Sequence, residues 1–329
     1  MLTTTSRIEL LNDWAAVDQL DWDRLLVHSA TPSVFQTSEW LRAWWTSFGR
    51  GRLLIIAAYE RDELIAIAPL FADHGMVYFV GSGGSDYLDF VGTISDPNVL
   101  AAILDKARAH APGFVGFRFY HVPQGSPTGT MLAACAQQLG LTCFDEGWLN
   151  APALRFRDWP ENQKPPAEKK SLVRHERGLQ KIGRLEIEHF ALSAQIEPQL
   201  PTFFGQHIMR WAATPFPSLF LDDRQRQFYH RLCSVFDLRG WLRFTRVSLN
   251  DEPLAFHFGF QFQDSFLWYK PTFNIERAHH SPGEVLLRAL ILHAQRERVD
   301  LFDFGLGDEA FKNRFATETN RVQTWGLYP

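Results

Sequence analysis

Two β-hairpin patterns, one in each half of the chain, constrain the fold more than any other feature. The first joins apolar runs at Leu53–Tyr59 and Leu64–Phe71 across a polar break, and the second joins residues 240–249 and 253–262 across the turn at 250–252. Apolar runs around a short polar turn are typical of antiparallel strands. An aromatic-rich helical segment precedes each hairpin. The repeated order of elements favours a duplicated fold.

The chain has 329 residues, of which 46% are hydrophobic, and this is enough to bury two sizeable cores. Residues 155–167 lose helical and strand periodicity and include three prolines, which interrupt helices and strand ladders alike. The sequence therefore predicts an α+β fold of two domains, residues 1–160 and 161–329. Each domain is expected to have a mixed, mostly antiparallel sheet flanked by helices.

Charge and hydropathy argue against several classes of protein. The net charge is -4, so no global excess of positive charge indicates a nucleic-acid-binding protein. The first residues lack the basic and apolar regions of an export signal, and no run of residues is apolar over the length of a membrane span. Metal-ligand spacing is also missing from the sequence. We expect a cytoplasmic protein with no membrane insertion and no metal.

An ordered set of elements in the C-terminal half predicts a place for a phosphate group. A strand at Phe266–Phe273 leads through a loop into a helix whose first turn contains Ser281–Glu284, and a strand at Leu301–Gly305 follows. Free backbone N–H groups at the start of a helix can bind phosphate. The residues expected to contact a phosphate-bearing cofactor are Ser281, Gly283, Glu284 and Val285.

The sharpest local charge feature is a basic helix after Pro166. Its basic residues are spaced four, three, four and three apart and share one helical face: Lys170, Arg174, Arg177, Lys181 and Arg184. Like charges on one face repel each other, and a bound anion would relieve this. Arg174 and Arg177 are therefore assigned to a phosphate ligand, as part of a nucleotide, an acidic glycan or an RNA end. The alternative is an ordinary solvated face.

Five segments together resemble the GNAT superfamily: Phe35–Trp45, the basic helix, the region of Trp211, Ser281–Leu287 and Phe302–Phe315. The resemblance is to its double-domain branch with BioF2-like or CelD-like acyltransferases and, more distantly, to the Fem aminoacyl transferases. It implies tandem GNAT domains, a splayed pair of central strands, and transfer of an acyl group from a thioester or ester donor to an amine. We expect the chemistry in the C-terminal domain and an acceptor-binding or structural role for the N-terminal domain.

One departure from the resemblance concerns the donor. GNAT enzymes usually hold pyrophosphate with a basic residue followed by glycines, whereas residues 279–284 read HHSPGE, with one glycine, a proline that lacks an N–H group, and the anionic Glu284. The expected donor is acyl-CoA or acetyl-CoA, or an acyl-carrier protein thioester. Aminoacyl-tRNA is the alternative donor, because residues 279–284 differ from the usual pyrophosphate-binding pattern.

Lys312 is the principal candidate for catalysis. It occupies the position of the lysine in the Fem-type G…FK…F motif, where the resemblance implies contact with the reacting carbonyl or a phosphate, with Phe311 as packing. A positioned cation stabilises the oxyanion of a tetrahedral intermediate. Aminolysis also needs a proton acceptor, for which Asp303 and Glu309 are the first candidates.

Further candidates lie on the predicted strands and in a glycine-rich loop. Tyr269 and Lys270 occupy the strand along which GNAT donors bind, so Tyr269 is a general acid or a lining residue, and Lys270 is expected on the opposite face. The other residues assigned to substrate are His257, whose alternative role is that of a core histidine, Trp211, and Asp86 with Tyr87, which would bind acceptor at a cleft between the domains.

The sequence leaves three functions to compare. The first is an N-acyltransferase that moves an acyl group directly from a thioester to the amine of a small molecule, such as an amino sugar or amino acid. The second is a Fem-like transferase with an aminoacyl-tRNA donor, the one case that requires nucleic acid. The third is a non-catalytic binding protein that keeps the fold.

Overall fold

The computed structural model of the chain describes residues 6–11, 13–212 and 214–329. Its contacts form two units: unit 1 contains the residues up to Asn150 together with Asn320–Pro329, and unit 2 contains Ala151–Thr319. This division falls before the predicted boundary at residue 160. The reason is that Phe156, Trp159 and Ala167, within the proline-rich segment, pack against the hydrophobic core of unit 2.

Unit 1 begins with strands and helices that follow the predicted order. Its strands are β1 Ser6–Leu11, β2 Arg52–Glu60, β3 Glu63–Asp73, β4 Met76–Phe79, β5 Val91–Gly92 and β6 Gly116–Pro123. Its helices are α1 Gln19–Val27, α2 Ser38–Phe48, α3 Pro97–Ala109 and α4 Thr128–Gln138. The strand β7, Thr142–Arg155, then carries the chain into unit 2.

Unit 2 repeats this alternation. Its helices are α5 Lys170–Ile182, α6 Ser193–Ile196, α7 Leu200–Trp211, α8 Asp223–Asp237, α9 Pro282–Arg296 and α10 Ala310–Asn313. Its strands are β8 Leu185–Phe190, β9 Leu242–Leu249, β10 Glu252–Phe262, β11 Ser265–Phe273 and β12 Leu301–Asp303. The last strand, β13 Glu318–Tyr328, returns the chain to unit 1.

The strand order is the same in principle in both units. In unit 1, β1, β2, β3, β4 and β6 are neighbours, with β5 also paired to β3, and only β4 and β6 run parallel. In unit 2, β8, β9, β10, β11, β12 and the end of β7 are neighbours, and only β11 and β12 run parallel. The predicted α+β class with duplicated, mostly antiparallel sheets is confirmed.

The final strand shows where a local pattern was insufficient. The apolar and aromatic residues at 322–328 favour a strand at the end of the second half. The strand forms, but from Val322 onward it pairs antiparallel with β6 of unit 1. Strand pairing is chosen by contacts between distant residues, which the apolar pattern of one strand does not specify.

Each unit has its own hydrophobic core. Unit 1 buries aliphatic residues of β2 and β3 against α3 and the phenylalanines of β4 and β6. In unit 2, α5 and α9 pack on one face of the sheet around Trp268 and Phe302. The other face is covered by α7 and α8 through a cluster of aromatic rings that includes Phe203 and Tyr229. Burial of such side chains supplies most of the stabilising free energy.

Every helix in the described residues is too short or too polar to cross a membrane. The same residues contain no group of three or more histidine, cysteine or acidic side chains arranged to hold a metal ion.

Candidate active site

Two parallel strands in the middle of unit 2 part from each other. β11 and β12 pair over three residues each, and the pairing ends at Leu267 and Asp303. β11 then continues to Phe273 while remaining paired with β10. The edge of β11 from Trp268 to Phe273 therefore runs on beyond the end of β12. The splayed pair of strands that the sequence resemblance implies would lie at this point.

A β-bulge lies at the point where the strands part. The register between β10 and β11 shifts between Phe258 and Phe260, so that Trp268 and Tyr269 both lie opposite Gly259. A bulge of this kind bends the strand and increases its twist. The bulge lies directly after the last parallel pair of β11 with β12.

His257 fills the space at the bulge. Its Nε2 atom lies 3.2 Å from Leu267 O and 3.3 Å from the backbone nitrogen of Tyr269, which donates to it. A side chain on Gly259 would overlap His257 Cε1 and Leu267 O and lie 2.5 Å from His257 Nε2. The ring therefore needs a glycine beside it.

The surroundings of His257 make it a core histidine. Its side chain is 0% exposed, and burial lowers its pKa to about 3, so the imidazole is neutral at pH 7. A fully buried ring cannot contact a substrate directly, which favours the core alternative over the assignment to substrate. Its contacts instead hold the backbone of β11 in the bulged conformation.

Lys312 is buried and its ammonium group has a fixed position. The side chain is 3% exposed. Nζ lies 2.6 Å from Leu306 O and 2.8 Å from Glu309 Oε2, with a longer contact of 3.5 Å to Gly305 O. An ammonium has three N–H donors, so two are used well and the third only weakly. The charge is thereby held within the protein rather than in bulk water.

The turn before α10 is shaped to hold this ammonium. Gly307 has a φ of +123°, and a side chain there would overlap Glu309 Oε2 and lie 3.2 Å from Lys312 Nζ. Asp303, 8% exposed at the end of β12, accepts a hydrogen bond of 2.8 Å from the N–H of Gly305. The structure thus brings Asp303, Glu309 and Lys312 together around residues 305–307.

Tyr269 and Lys270 lie on the same face of the sheet, which corrects the predicted alternation. Lys270 pairs with Phe258, and its Nζ atom lies 4.2 Å from the centroid of the Tyr269 ring. Side chains alternate only along a regular strand, and the bulge at residues 268–269 interrupts that regularity. Gly259, opposite the bulge, is the one sign of it in the sequence.

Arg210 is a residue that the sequence analysis missed. Its Nη1 atom donates to Pro271 O at 3.0 Å, and its guanidinium lies 4.3 Å from the centroid of the Phe273 ring. Burial lowers the pKa of Arg210, and no carboxylate in the described ranges forms an ion pair with it. The position beside Trp211 in an aromatic helix was the available signal.

Trp211 and Lys270 lie in the same neighbourhood as Arg210. The Trp211 ring stacks on His207 with centroids 5.8 Å apart. Burial, followed by the charges of Lys270 and Arg210, lowers the pKa of His207 to about 3. The part of β11 beyond its pairing with β12 therefore has an excess of positive charge.

The start of α9 does not fit the predicted phosphate site. The N–H groups of Ser281 and Glu284 already donate to backbone carbonyls, and Pro282 has none. Glu284 forms an ion pair with Arg314 and would repel a phosphate. Val285 is fully buried in the core, and Gly283 packs against Phe273. These contacts leave few N–H groups for a diphosphate at residues 281–285, and the assignment of these residues to a cofactor stays a prediction.

The remaining predicted residues lie away from this turn. Arg174 and Arg177 line a groove along α5 in unit 2. Arg184 was expected on the same face, but it follows the end of α5 and pairs with Asp251 at 2.6 Å. Asp86 and Tyr87 belong to unit 1, where the Tyr87 ring packs against Phe35 at 5.9 Å.

Comparisons with known proteins agree with this architecture. The family model for the acetyltransferase (GNAT) domain matches residues 167–313. No curated protein sequence matched the chain. The crystal structure of FemX aligns at 12% identity over 97% of this chain and 96% of its own, with a TM-score of 0.65.

Two further solved structures align at similar levels. L-PGS from Bacillus licheniformis aligns at 12% identity over 94% of this chain and 91% of its own, with a TM-score of 0.58. A tandem GNAT protein from the clavulanic acid biosynthesis pathway aligns at 11% identity over 98% of both chains, with a TM-score of 0.55. At such low identity these alignments show a shared fold.

Proposed function

We propose that this chain, a tandem-domain acyltransferase of the GNAT superfamily, moves an acyl group from a thioester donor to the amine of a small molecule within unit 2. The observation that carries the proposal is the parting of β11 and β12 next to a buried ammonium. The part of β11 beyond its pairing with β12 would border an extended donor, and Lys312 places a positive charge beside residues 305–307.

The proposed reaction is a direct aminolysis. The amine lone pair attacks the carbonyl carbon, the C–N bond forms, and the C–S bond breaks after a tetrahedral intermediate. The third N–H of Lys312, which has only the 3.5 Å contact to Gly305 O, turns to the oxyanion of that intermediate. Preorganised charge of this kind is the largest single contribution to many enzymatic rates.

The same group of residues accounts for the proton transfers. The attacking nitrogen loses a proton to a carboxylate, either Asp303 or Glu309, of which Glu309 is the more accessible with a side chain 58% exposed. The departing thiolate takes up a proton, for which Tyr269 is the candidate donor. Amide and free thiol are the products, so no oxidant or metal enters the balance.

The test is to measure thiol release from a panel of acyl-CoA thioesters, with mixed amino acids and amino sugars as acceptors, by the unchanged protein and by Lys312→Met. Loss of one oxyanion donor lowers kcat by about 100-fold to 1000-fold. Lys312→Arg keeps the cation and is expected to restore part of the rate.

Arg314→Gln is the matched control because it removes an ion pair on the same turn without touching the buried ammonium. It is expected to change kcat by less than about twofold. Equal rates for Lys312→Met and Arg314→Gln would contradict the role of Lys312. Failure of every thioester to react or bind would favour a non-catalytic binding protein.

A second candidate keeps the site and exchanges the donor for the aminoacyl ester of a tRNA. The pairing of the Ser281 and Glu284 N–H groups and the carboxylate of Glu284, which leave little room for a CoA diphosphate at residues 281–285, favour it. Binding of charged tRNA would weaken steeply with added salt because phosphate contacts release counterions. Binding that does not change with salt would exclude this candidate.

A further inference from the structure

The α5 groove is the strongest positively charged feature outside the candidate active site. It has a volume of about 630 Å³ and is lined by Lys164, Glu168, Lys170, Val173, Arg174, Arg177, Gly178, Lys181 and Arg288. A volume of this size is typical of sites for small molecules.

Most of the charge in the groove is not neutralised by the protein. Arg288 is paired with Glu176. For the other basic residues, Lys164, Lys170, Arg174, Arg177 and Lys181, the described part of the chain supplies no side-chain hydrogen bond or ion pair. Five positive charges thus face one carboxylate, that of Glu168. Such an arrangement costs repulsion unless an anion binds.

The shape of α5 leaves this charge accessible. Leu172 and Leu179 are buried against the core of unit 2, which fixes the opposite, basic face towards solvent. Gly178 lies in the middle of that face, and no atom would come within 4 Å of a side chain there. Lys170 and Lys181 are about 16 Å apart along the helix at 1.5 Å per residue.

The groove begins close to the turn that carries Lys312. Lys169, the residue before α5, donates to Arg314 O at 2.7 Å. Arg314 also pairs with Glu284 at the start of α9, and Arg288 on α9 donates to Ala167 O at 3.0 Å. Contacts therefore tie the start of α5 to both α9 and α10.

We propose that the α5 groove, instead of the start of α9, binds the phosphate groups of a nucleotide-sized ligand. This ligand is the nucleotide end of a CoA thioester. The proposal rests on the acyl transfer proposed above. A nucleotide with three phosphate groups matches both the length of the basic face and the excess of positive charge. Arg174 and Arg177 lie at its centre.

The groove favours a small ligand over an RNA chain for two reasons. None of its lining residues is aromatic, whereas sites for single-stranded nucleic acid usually stack bases on aromatic rings. The chain also has a net charge of -4, so it lacks the overall positive charge that is typical of RNA-binding domains.

The test uses isothermal titration of the full chain with CoA, with adenosine 3′,5′-bisphosphate, and with a single-stranded RNA of twenty nucleotides. The double variant Arg174→Gln/Arg177→Gln is expected to bind CoA and the bisphosphate at least tenfold more weakly. Arg231→Gln is the matched control, because Arg231 is an exposed arginine on α8, outside the groove. It is expected to change affinity less than twofold.

A second pair of variants distinguishes a loss of binding from a loss of folding. Gly178→Glu places a carboxylate in the groove and should weaken bisphosphate binding at least tenfold. Gly178→Ala adds no charge and should leave binding within twofold. Both replace a helical glycine with a better helix former, so neither is expected to lower the unfolding temperature.

Two results would overturn the proposal. One is affinity for CoA and the bisphosphate that is absent or unaffected by the groove variants. The other is binding of the RNA alone, lost in the same variants, which would assign the groove to nucleic acid. The bisphosphate has no acyl group, so its binding reports on the groove alone, and Lys312→Met should leave it unchanged even if acyl transfer itself is not observed.

Discussion

In unit 1, β4 ends at Phe79, one residue after its last parallel pair with β6, whereas in unit 2 β11 continues from Trp268 to Phe273 after its last pair with β12. Both units therefore have parallel central strands that separate. They differ in the length of strand that runs on past the last parallel pair, which within the described residues is long in unit 2 and short in unit 1.

The gap in unit 1 is filled by the chain itself. The loop after β4 returns to β6, where Leu88 N–H donates to His121 O and His121 Nδ1 lies 2.9 Å from Ser85 O. Trp40 Nε1 donates a hydrogen bond of 2.8 Å to Ser85 Oγ in this loop. The glycine-rich loop with Asp86 and Tyr87 is thus part of the structure of unit 1. Duplication thus preserved the strand plan, whereas the length of strand beyond the parallel pair differs between the two copies.

The largest expected difference between the two units is in how their stability responds to acid. Burial lowers the pKa of His257 and His207 in unit 2 to about 3, from the ordinary 6.5. Their contribution to stability is complete above pH 6.5 and is lost as the pH falls towards 3, because only the unfolded chain gains protons in that interval. At pH 5 the loss is about 2 kcal/mol for each histidine.

Unit 1 contains a group with the opposite sign. Burial raises the pKa of Asp89 to about 6, from 3.8, so its contribution is present below pH 3.8 and is lost as the pH rises through 6. Hydrogen exchange at pH 7 and pH 5, corrected for intrinsic rates, should show reduced protection in β10 and β11 and little reduction in β3 and β6. Asp89→Asn should remove the opposing trend. Equal loss of protection in both units would contradict this prediction.

The contribution of the β11 bulge to stability can be tested by substituting Gly259. Gly259→Ala would drive a methyl group into the His257 ring and Leu267 O and is expected to lower the free energy of unfolding by about 2–3 kcal/mol. Urea unfolding measures this, with Gly178→Ala as the glycine control in open space. A stability unchanged by Gly259→Ala would show that the bulge is not needed to hold the strand.

The smallest effect is expected from the loop of unit 1. Ser85→Ala leaves the buried Trp40 Nε1 without its acceptor and should lower the free energy of unfolding by about 1–2 kcal/mol, again measured in urea. Acyl transfer at saturating donor should stay within twofold. A loss of transfer without a loss of stability would instead support the predicted substrate contacts of Asp86 and Tyr87.

Much of the fold could be predicted because its signals are local. The two hairpins follow from apolar runs around short turns, and α2 follows from Thr37, whose side chain accepts a hydrogen bond from Trp40 N–H. The basic face of α5 follows from the spacing of its residues alone. Arg184 is the exception, because it lies beyond the helix and pairs with Asp251, 67 residues away. That partner lies in a hairpin turn that the helix pattern does not contain.

The candidate site was less predictable. Lys312, Asp303 and Glu309 come together, and their roles remain predictions. The predicted phosphate contacts at residues 281–285 are not favoured by the structure, because the N–H groups of Ser281 and Glu284 are already paired. The face of Lys270 was wrong because one bulge reverses the alternation of side chains. Arg210 went unnoticed because its contacts with β11 join residues that are 61 apart.

The sequence by itself determined the order of helices and strands, their duplication, and the basic face of one amphipathic helix. These depend on the spacing of neighbouring residues, which sets side-chain direction within a turn or a strand. Tertiary contacts set which unit extends a strand past its parallel pair, that Lys312 is buried against Leu306 O and Glu309, and that β13 pairs with β6. Those outcomes depend on the register and packing of segments far apart in the chain, and register is fixed only when the segments meet.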